Sequence, residues 1–404
     1  MGDVMLDHFV YGDVSRISPE APIPVVRVNH EQSMLGGVGN VVRNLSSLGV
    51  QTALLTVVGA DDAGESIRKE LGALPNSTIY AATDRNRKTS VKTRYISGSQ
   101  QLLRVDNEST HAIDEGVLTE LLSRFEKLLA EYDVVVLTDY AKGVLQGGRA
   151  TSFVAAAQYS NKPVFVDPKG RDFGRYYGAS LIKPNLQELA DATNLPVGTD
   201  AAVEAAALQV IKNHQISTVL VTRGAAGMML VRPDEAPVSL RAVAREIFDV
   251  SGAGDTVAAA FAAGVAAGMR MEDAMRVANV AAGLVVAKVG TATTTQEQLL
   301  TELEAGDALA AEGRVVALDE AVQRVRLWRR LGLKVGLMRS TFEPLDAAAI
   351  GALQHAKLKC DRLIIATEAN PLLLASMVYV DLVIAGATPV EALIKELRPD
   401  YSVV

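Results

Sequence analysis

Apolar positions fall into two patterns along the chain. From Leu54 to Leu230, short continuous apolar runs alternate with helical stretches. LLTVVG precedes a helix around Ala63–Leu71; a helix over Ile113–Glu131 precedes YDVVVLTDYAKG; and a helix near Thr151–Tyr159 precedes PVFVDPKG. SLIKPNLQELADA, a helix over Ala201–His214 and STVLVTRGAAGMML follow. Strands that are apolar at every position need burial on both faces, which parallel strands obtain from covering helices. The fold class predicted is α/β, a doubly wound and mainly parallel sheet. Two other stretches, Pro22–Gly37 and Thr89–Glu108, alternate apolar with polar residues and predict half-exposed strands. Such strands form a small sheet that covers a pocket or pairs two subunits. The opening MGDVMLD predicts the end of a strand running into a loop that carries Asp3 and Asp7. A buried strand needs further apolar residues before Gly2, so its beginning is expected to be missing.

The run FDVSGAGDTVAAAFAAGVAAG, Phe248–Gly268, combines a small-residue turn, one carboxylate and an alanine-rich segment without proline that predicts a buried helix. N–H groups at a helix start lack intrahelical partners and the dipole there is positive, so phosphate oxygens suit the turn Ser251–Gly254. A carboxylate beside a phosphate cradle makes electrostatic sense when it takes a proton from the nucleophile attacking that phosphate. The residues alone leave two readings of Asp255: general base of a phosphoryl transfer, or ordinary first-turn acid.

In a doubly wound sheet, ligands bind at the carboxyl ends of the strands. Asp139 and Lys142, Asp167 and Lys169, Asn185 and Glu188, and Thr222–Gly224 are all predicted to lie there. Asn185 and Glu188, three apart on an opening helical turn, suit the helix dipole and equally suit hydrated magnesium, which needs few protein groups. Gly36 and Gly37 permit close backbone approach just before a helix opened by Asn40. This joint placement points to an enzyme.

Composition narrows the class. The 404 residues leave room for a large and a small domain, and 49% hydrophobic with 22% charged residues fits a globular chain. A formal net charge of −7 argues against a nucleic-acid partner. The single Cys360 excludes an intramolecular disulfide and suggests a reducing compartment. No apolar run has the length of a membrane span and MGDVMLDHF lacks signal-peptide regions, so a cytoplasmic location is expected.

With these residues in place, the chain resembles the ribokinase-like (PfkB) carbohydrate kinases. Within them it is similar to the heptose 7-phosphate kinase half of the bifunctional heptose kinase/adenylyltransferases of lipopolysaccharide synthesis. The segments GDVMLDHFVYGDVSRISPEAPIPVV, DYAKGVL, VDPKGRDFGRYYGASLIKPNLQE and DVSGAGDTV carry the likeness, from Gly2 to about Thr295. The resemblance implies a ribokinase-like kinase domain over residues 1–300 with a small β lid, using ATP and Mg²⁺. The implied reaction is phosphorylation of D-glycero-D-manno-heptose 7-phosphate at the anomeric hydroxyl, giving heptose 1,7-bisphosphate. Asp255 would be the base, and the amides of Gly252, Ala253 and Gly254 the anion hole. Asn185, Leu186, Gln187 and Glu188 would lie near the ATP phosphates and magnesium, and Thr222, Gly224 and Asn279 near the nucleotide. Asp249 would help hold a monovalent cation such as K⁺. Asp7, Gly36, Gly37 and Asn40 would meet the sugar, with Arg104 and Lys142 on its phosphate because that group needs a cation. The residues alone leave Asp3 and Asp7 two readings: ionised acceptors for sugar hydroxyls, or parts of a solvated loop. The lid strands make a homodimer the expected assembly. Val250-Ser251 stands where many relatives carry two threonines.

After a linker over 301–315, residues 316–404 predict a smaller α/β unit that resembles the adenylyltransferase half of the same enzymes. That family places a phenylalanine and an acid before two histidines separated by two residues. Phe342 and Glu343 keep the first part, but Asp346 and Ala349 stand at the histidine positions. Asp346 would repel the triphosphate. The loop after ATEAN is short, the chain stops before the family's usual end, and His355 reads as structural. The expectation is a degenerate, truncated nucleotidyltransferase-like domain without adenylyltransferase activity, retained for dimerisation or packing. Two further readings stay open: a kinase of another sugar phosphate or nucleoside, and a non-catalytic binding or assembly protein.

Overall fold

The computed structural model describes residues 1–98, 100–243, 249–288, 290–303, 314–330, 332–339 and 345–403. They divide into two compact units, Met1–Leu299 and Leu300–Val404.

The valine-rich runs of the first unit form its central sheet. β7 (Val135–Thr138), β8 (Val164–Asp167), β9 (Leu181–Ile182) and β10 (Thr218–Thr222) pair in parallel, and β11 (Met228–Val231) and β12 (Val238–Leu240) add antiparallel strands at one edge. β-Branched side chains suit strands covered on both faces. The covering helices include α3 (Glu115–Leu128), α4 (Arg149–Tyr159), α6 (Asp200–His214), α7 (Ala253–Ala266) and α8 (Met271–Val286). On the other side of β7, residues 1–3 bridge to β3 (Thr52–Val58): Thr138 N donates to Met1 O at 2.9 Å and Gly2 N to Leu55 O at 3.3 Å. β4 (Ser77–Thr83), not foreseen from the sequence, pairs in parallel with β3. Beyond Met1, an apolar cavity of about 220 Å³ separates the Thr52–Leu55 segment from Asp133–Val136. None of the site residues described below lines it.

The lid is a second sheet, in the order β2 (Pro24–Gly37), β1 (Val4–Ile17), β5 (Ser90–Ser97), β6 (Gln100–Asn107). Here the expected loop around Asp7 is corrected: β1 runs without a break from Val4 to Ile17, and Asp7 lies inside it. The pairing explains why. β1 is flanked by β2 (Pro24–Gly37), antiparallel, and by β5 (Ser90–Ser97), parallel, so its backbone is satisfied on both edges. The Thr89–Glu108 stretch is a hairpin of β5 and β6 (Gln100–Asn107), divided at Gly98. The inner half of β1 is buried, whereas Ile17, Ile23, Val28, Leu103 and Val105 are exposed.

In the second unit, five parallel strands lie in the order Val315–Val316, Leu382–Ala385, Arg362–Thr367, Val335–Arg339, Tyr401–Val403. Alternate residues serve opposite faces. Leu337, Ile364 and Ile384 enter one apolar cluster; Met338, Ile365 and Val383 enter the other. Among the described residues no helix is long and apolar enough to cross a membrane.

Candidate active site

α7 starts at the turn predicted to cradle phosphate. Gly252, its N-cap, has φ +77°, and a β-carbon there would stand 2.5 Å from Asn40 Nδ2, so the position demands glycine twice over. Among the described residues no acceptor meets the amides of Gly252 and Gly254, while the Ala253 amide donates to Val250 O at 3.2 Å. Among the described residues, two of the three predicted amides are thus left for a ligand. Asp249 staples the turn: Oδ1 accepts from Ser251 N at 2.8 Å and Oδ2 from Gly290 N at 3.0 Å. Burial pushes its carboxyl up, but these hydrogen bonds outweigh burial and hold it below the usual range.

Asp255, on the first turn of α7, is buried. Its Oδ2 accepts from Asn40 Nδ2 at 2.9 Å and its Oδ1 from Tyr140 Oη at 2.7 Å. Burial, with Asp167 nearby, raises its pKa to about 6 against the opposing pull of Asn40, Tyr140 and Lys183. Such a carboxyl is ionised at neutral pH yet basic enough to take a proton. Lys183, buried just past β9, lies 2.9 Å from Asp167 Oδ1. A β-carbon on Gly254 would stand 3.6 Å from the Lys183 ammonium, which places this cation beside the free amides. Burial raises the pKa of Asp167, with Lys183 opposing. Neither Lys183 nor Tyr140 was foreseen as a site residue. Both lie in runs already singled out, SLIKPN and DYAKG, where Asn185, Asp139 and Lys142 had drawn the attention.

On the lid side, Asp7 pairs with Arg94 at 2.6 Å, and Gly36 makes room for it, since a β-carbon there would stand 2.2 Å from Asp7 Oδ2. Lys92, opposite Asp7 in the parallel register of β1 and β5, points over the Tyr140 ring, 5.9 Å from its centroid. Burial lowers its pKa and Asp7 opposes; among the described residues no carboxylate lies within ion-pair distance of it. The two cations predicted for the sugar's phosphate are already paired, Lys142 with Glu108 at 2.6 Å and Arg104 with Asp106 at 2.9 and 3.1 Å. Asp3 is held by the backbone. It is 1% exposed, and its carboxylate accepts from the amides of Tyr140, Lys142 and Val144 at 2.9, 3.0 and 3.0 Å. This carboxylate anchors the loop after β7.

On the nucleotide side, Asn185 and Glu188 form a capping box at α5 (Leu186–Thr193): Asn185 Oδ1 accepts from Glu188 N at 2.8 Å and Glu188 Oε2 from Asn185 N at 3.0 Å. Glu188 Oε1 also meets Lys169 Nζ at 2.9 Å. Leu186 packs into the core and Gln187 bonds to Asp191, so neither side chain is spare. Thr222 bridges to Asn185, and Gly224 opens the turn that follows. Asn279, on α8, donates to Arg241 O at 2.7 Å, beside the segment that backs Gly227. No three His, Cys, Asp or Glu side chains converge among the described residues. Oxygen donors as sparse as Glu188 and Asn185 fit only an ion that keeps most of its own waters, as magnesium does.

Residues 2–298 match the profile of the pfkB family carbohydrate kinases. The chain belongs to the pfkB family. It is therefore a sugar kinase. The similarity of this pfkB kinase to curated proteins runs beyond the kinase unit. It is 44% identical over 423 residues to the bifunctional protein HldE of Rhodospirillum rubrum, covering 100% of this chain and 85% of the relative. With HldE of Caulobacter sp. strain K31 the identity is 46% over 425 residues, covering 100% and 86%. Among solved structures, ribokinase of Arabidopsis thaliana complexed with ribose and ATP superposes with a TM-score of 0.60 at 20% identity, over 75% of this chain and 97% of that one. Phosphofructokinase-2 of Escherichia coli in complex with potassium gives 0.64 at 20% identity, over 75% and 96%. These two share the fold of the pfkB kinase.

Proposed function

We propose that this kinase transfers the γ-phosphoryl group of ATP to the anomeric hydroxyl of D-glycero-D-manno-heptose 7-phosphate, giving heptose 1,7-bisphosphate and ADP. The observation that carries the choice of acceptor is the whole-chain similarity to HldE proteins, together with the heptose-kinase-like segment Gly2–Val26 that forms the lid beside Asp255. Asp255 takes the hydroxyl proton as the oxygen bonds to the γ-phosphorus and the bond to the β,γ-bridging oxygen breaks. The amides of Gly252 and Gly254, with Lys183 beside them, face the charge on the transferring group. Asn40 orients the base. Asp7, Gly36 and Gly37 contact the sugar, and Lys92 is a better placed cation for its phosphate than Arg104 or Lys142, which have acids of their own. Mg²⁺, which would neutralise phosphate charge, would be held near Glu188 and Asn185, mostly through water. A monovalent cation such as K⁺ beside Asp249 belongs to the same reading, supported by its role in fastening the anion-hole turn.

The test compares ADP release with heptose 7-phosphate, fructose 6-phosphate and ribose, for wild type and Asp255→Asn. Heptose 7-phosphate is expected to be the preferred acceptor and Asp255→Asn to lose at least about a hundredfold in rate. Preference for another acceptor would overturn the substrate, and an active Asn variant the mechanism.

The second unit is proposed to lack adenylyltransferase activity. Asp346, at a position where the resemblance expects a histidine, caps the helix Ala347–Lys357 by accepting from Ala349 N at 2.9 Å. Phe342 and Glu343 lie outside the described residues, as does most of the 301–315 linker. Formation of ADP-heptose from heptose 1-phosphate and ATP by this chain would overturn the proposal. A homodimer through the lid belongs to the same proposal, supported by the exposed apolar residues on its outer part, and sedimentation of Val28→Asp against wild type tests it.

A further inference from the structure

We propose that Tyr140 stands in for the acceptor hydroxyl at Asp255 while no sugar is bound, keeping water off the base and so tying ATP cleavage to the presence of an acceptor. The inference rests on Asp255 being the general base. Both carboxylate oxygens of Asp255 are occupied, and the two partners lie on different sides. Asn40, on Oδ2, sits against Gly252 and so faces the anion-hole turn. Tyr140, on Oδ1, faces the acceptor side: a β-carbon on Gly37 would stand 3.5 Å from its Cδ2, and Lys92 lies over its ring. Its hydroxyl donates to Oδ1 at 2.7 Å, within the separation a reacting hydroxyl needs to hand its proton to a base.

The surrounding chain keeps this arrangement in place. The Tyr140 amide is tied to the buried Asp3 carboxylate at 2.9 Å, so the backbone is anchored and only the side chain has to swing aside. An incoming sugar hydroxyl exchanges one O–H donor on Oδ1 for another, leaving the carboxylate as well satisfied as before. The sugar's other contacts hold the ring in its displaced position. A lone water has none of these contacts and competes poorly for the same oxygen. The reaction suppressed is hydrolysis: a water oxygen bonds to the γ-phosphorus, the bond to the bridging oxygen breaks, and the water proton passes to Asp255, leaving ADP and inorganic phosphate. With Tyr140 on Oδ1, that water has to compete with the phenol for the oxygen that would take its proton. Tyr140 is thus a positioning residue that acts through the base.

Tyr140→Phe keeps the ring and removes the donor. The experiment measures phosphate release from ATP without sugar and ADP release with saturating heptose 7-phosphate, in wild type, Tyr140→Phe, Asp255→Asn and the double variant. Tyr140→Phe is expected to raise the ratio of hydrolysis to sugar phosphorylation by about ten- to a hundredfold, a part of the 10²–10⁴ that a positioned base supplies. The double variant is expected to lose the added hydrolysis, which places it at Asp255. Sugar phosphorylation retained by Tyr140→Phe shows that the variant is folded. An unchanged ratio in a Tyr140→Phe protein that still phosphorylates sugar, alongside an inactive Asp255→Asn, overturns the role of Tyr140 and leaves the base standing. Full kinase activity in Asp255→Asn overturns the base itself, and the inference with it.

Discussion

Replacing the proposed base by its neutral isostere should stabilise the kinase unit while abolishing turnover. Asp255 is buried, and burial with Asp167 beside it raises its pKa from 3.8 to about 6. The sign follows from comparing the folded and unfolded chains. Below pH 3.8 both carry the proton and the site is neutral. Between 3.8 and 6 the unfolded chain releases its proton while the folded one keeps it. Above 6 the folded protein must hold a buried carboxylate, at a penalty of about 3 kcal/mol. Asp255→Asn removes that penalty. Tyr140 can still donate to the amide oxygen, and Asn40 can turn its own amide to present oxygen, releasing only a 3.4 Å contact with Asn44. The variant is therefore expected to be more stable than wild type by up to about 3 kcal/mol at pH 8, with the difference shrinking towards zero by pH 4. Trp328 lies in the second unit, so urea unfolding of the first should be followed by hydrogen exchange of α7 peptides instead of tryptophan fluorescence. A variant no more stable than wild type at pH 8, or an advantage that does not change with pH, would refute the reasoning.

Three further outcomes are expected. The wild-type kcat/KM should rise with pH through a limb near 6, because Asp255 must be unprotonated to act; a flat profile from pH 5 to 8 would count against it. Lys183→Met should lower kcat by about 10²–10³ with a smaller change in the KM for ATP, as expected for a cation facing the transferring group and not the bound ground state. Asp3→Asn puts an amide NH₂ against backbone donors that now meet carboxylate oxygen, so thermal unfolding should show a loss of about 1–3 kcal/mol, and phosphorylation should weaken as the Tyr140 loop comes loose.

The central sheet was legible because most of its strands are nearly continuous apolar runs, a pattern that two-sided burial explains. The lid strands were legible from alternation, but not where one ends and another begins: the break at Gly98 and the continuation of β1 past Asp7 depend on partners distant in sequence. The glycine turn, Asp255 and the Asn185–Glu188 pair stood out because each has a local signature. Asp3 has a local signature of the same kind. A carboxylate at a strand end looks like a ligand group until the chain folds back and three amides close on it. Lys183 and Tyr140 carry no local signature at all. Each becomes a candidate only when strands far apart in the chain set it beside α7, at Gly254 and at Asp255 respectively.

On the proposed reading, the second unit keeps its fold without its relatives' second chemistry. Position 346 does two jobs in the geometry seen here: it follows a strand end, where ligands of parallel sheets bind, and it caps the next helix. A histidine would serve the first job and cap poorly. Aspartate is among the best N-caps, worth about 1 kcal/mol over a residue that cannot accept the N3 amide, yet it brings negative charge to where a triphosphate would lie. If the unit is inactive as proposed, aspartate at 346 favours stability without disturbing the five-stranded sheet or either apolar cluster behind it. Reversing it by Asp346→His alone should lower the stability of this unit by about 1 kcal/mol and restore no adenylyl transfer, because Ala349 still leaves the second histidine position empty of a donor.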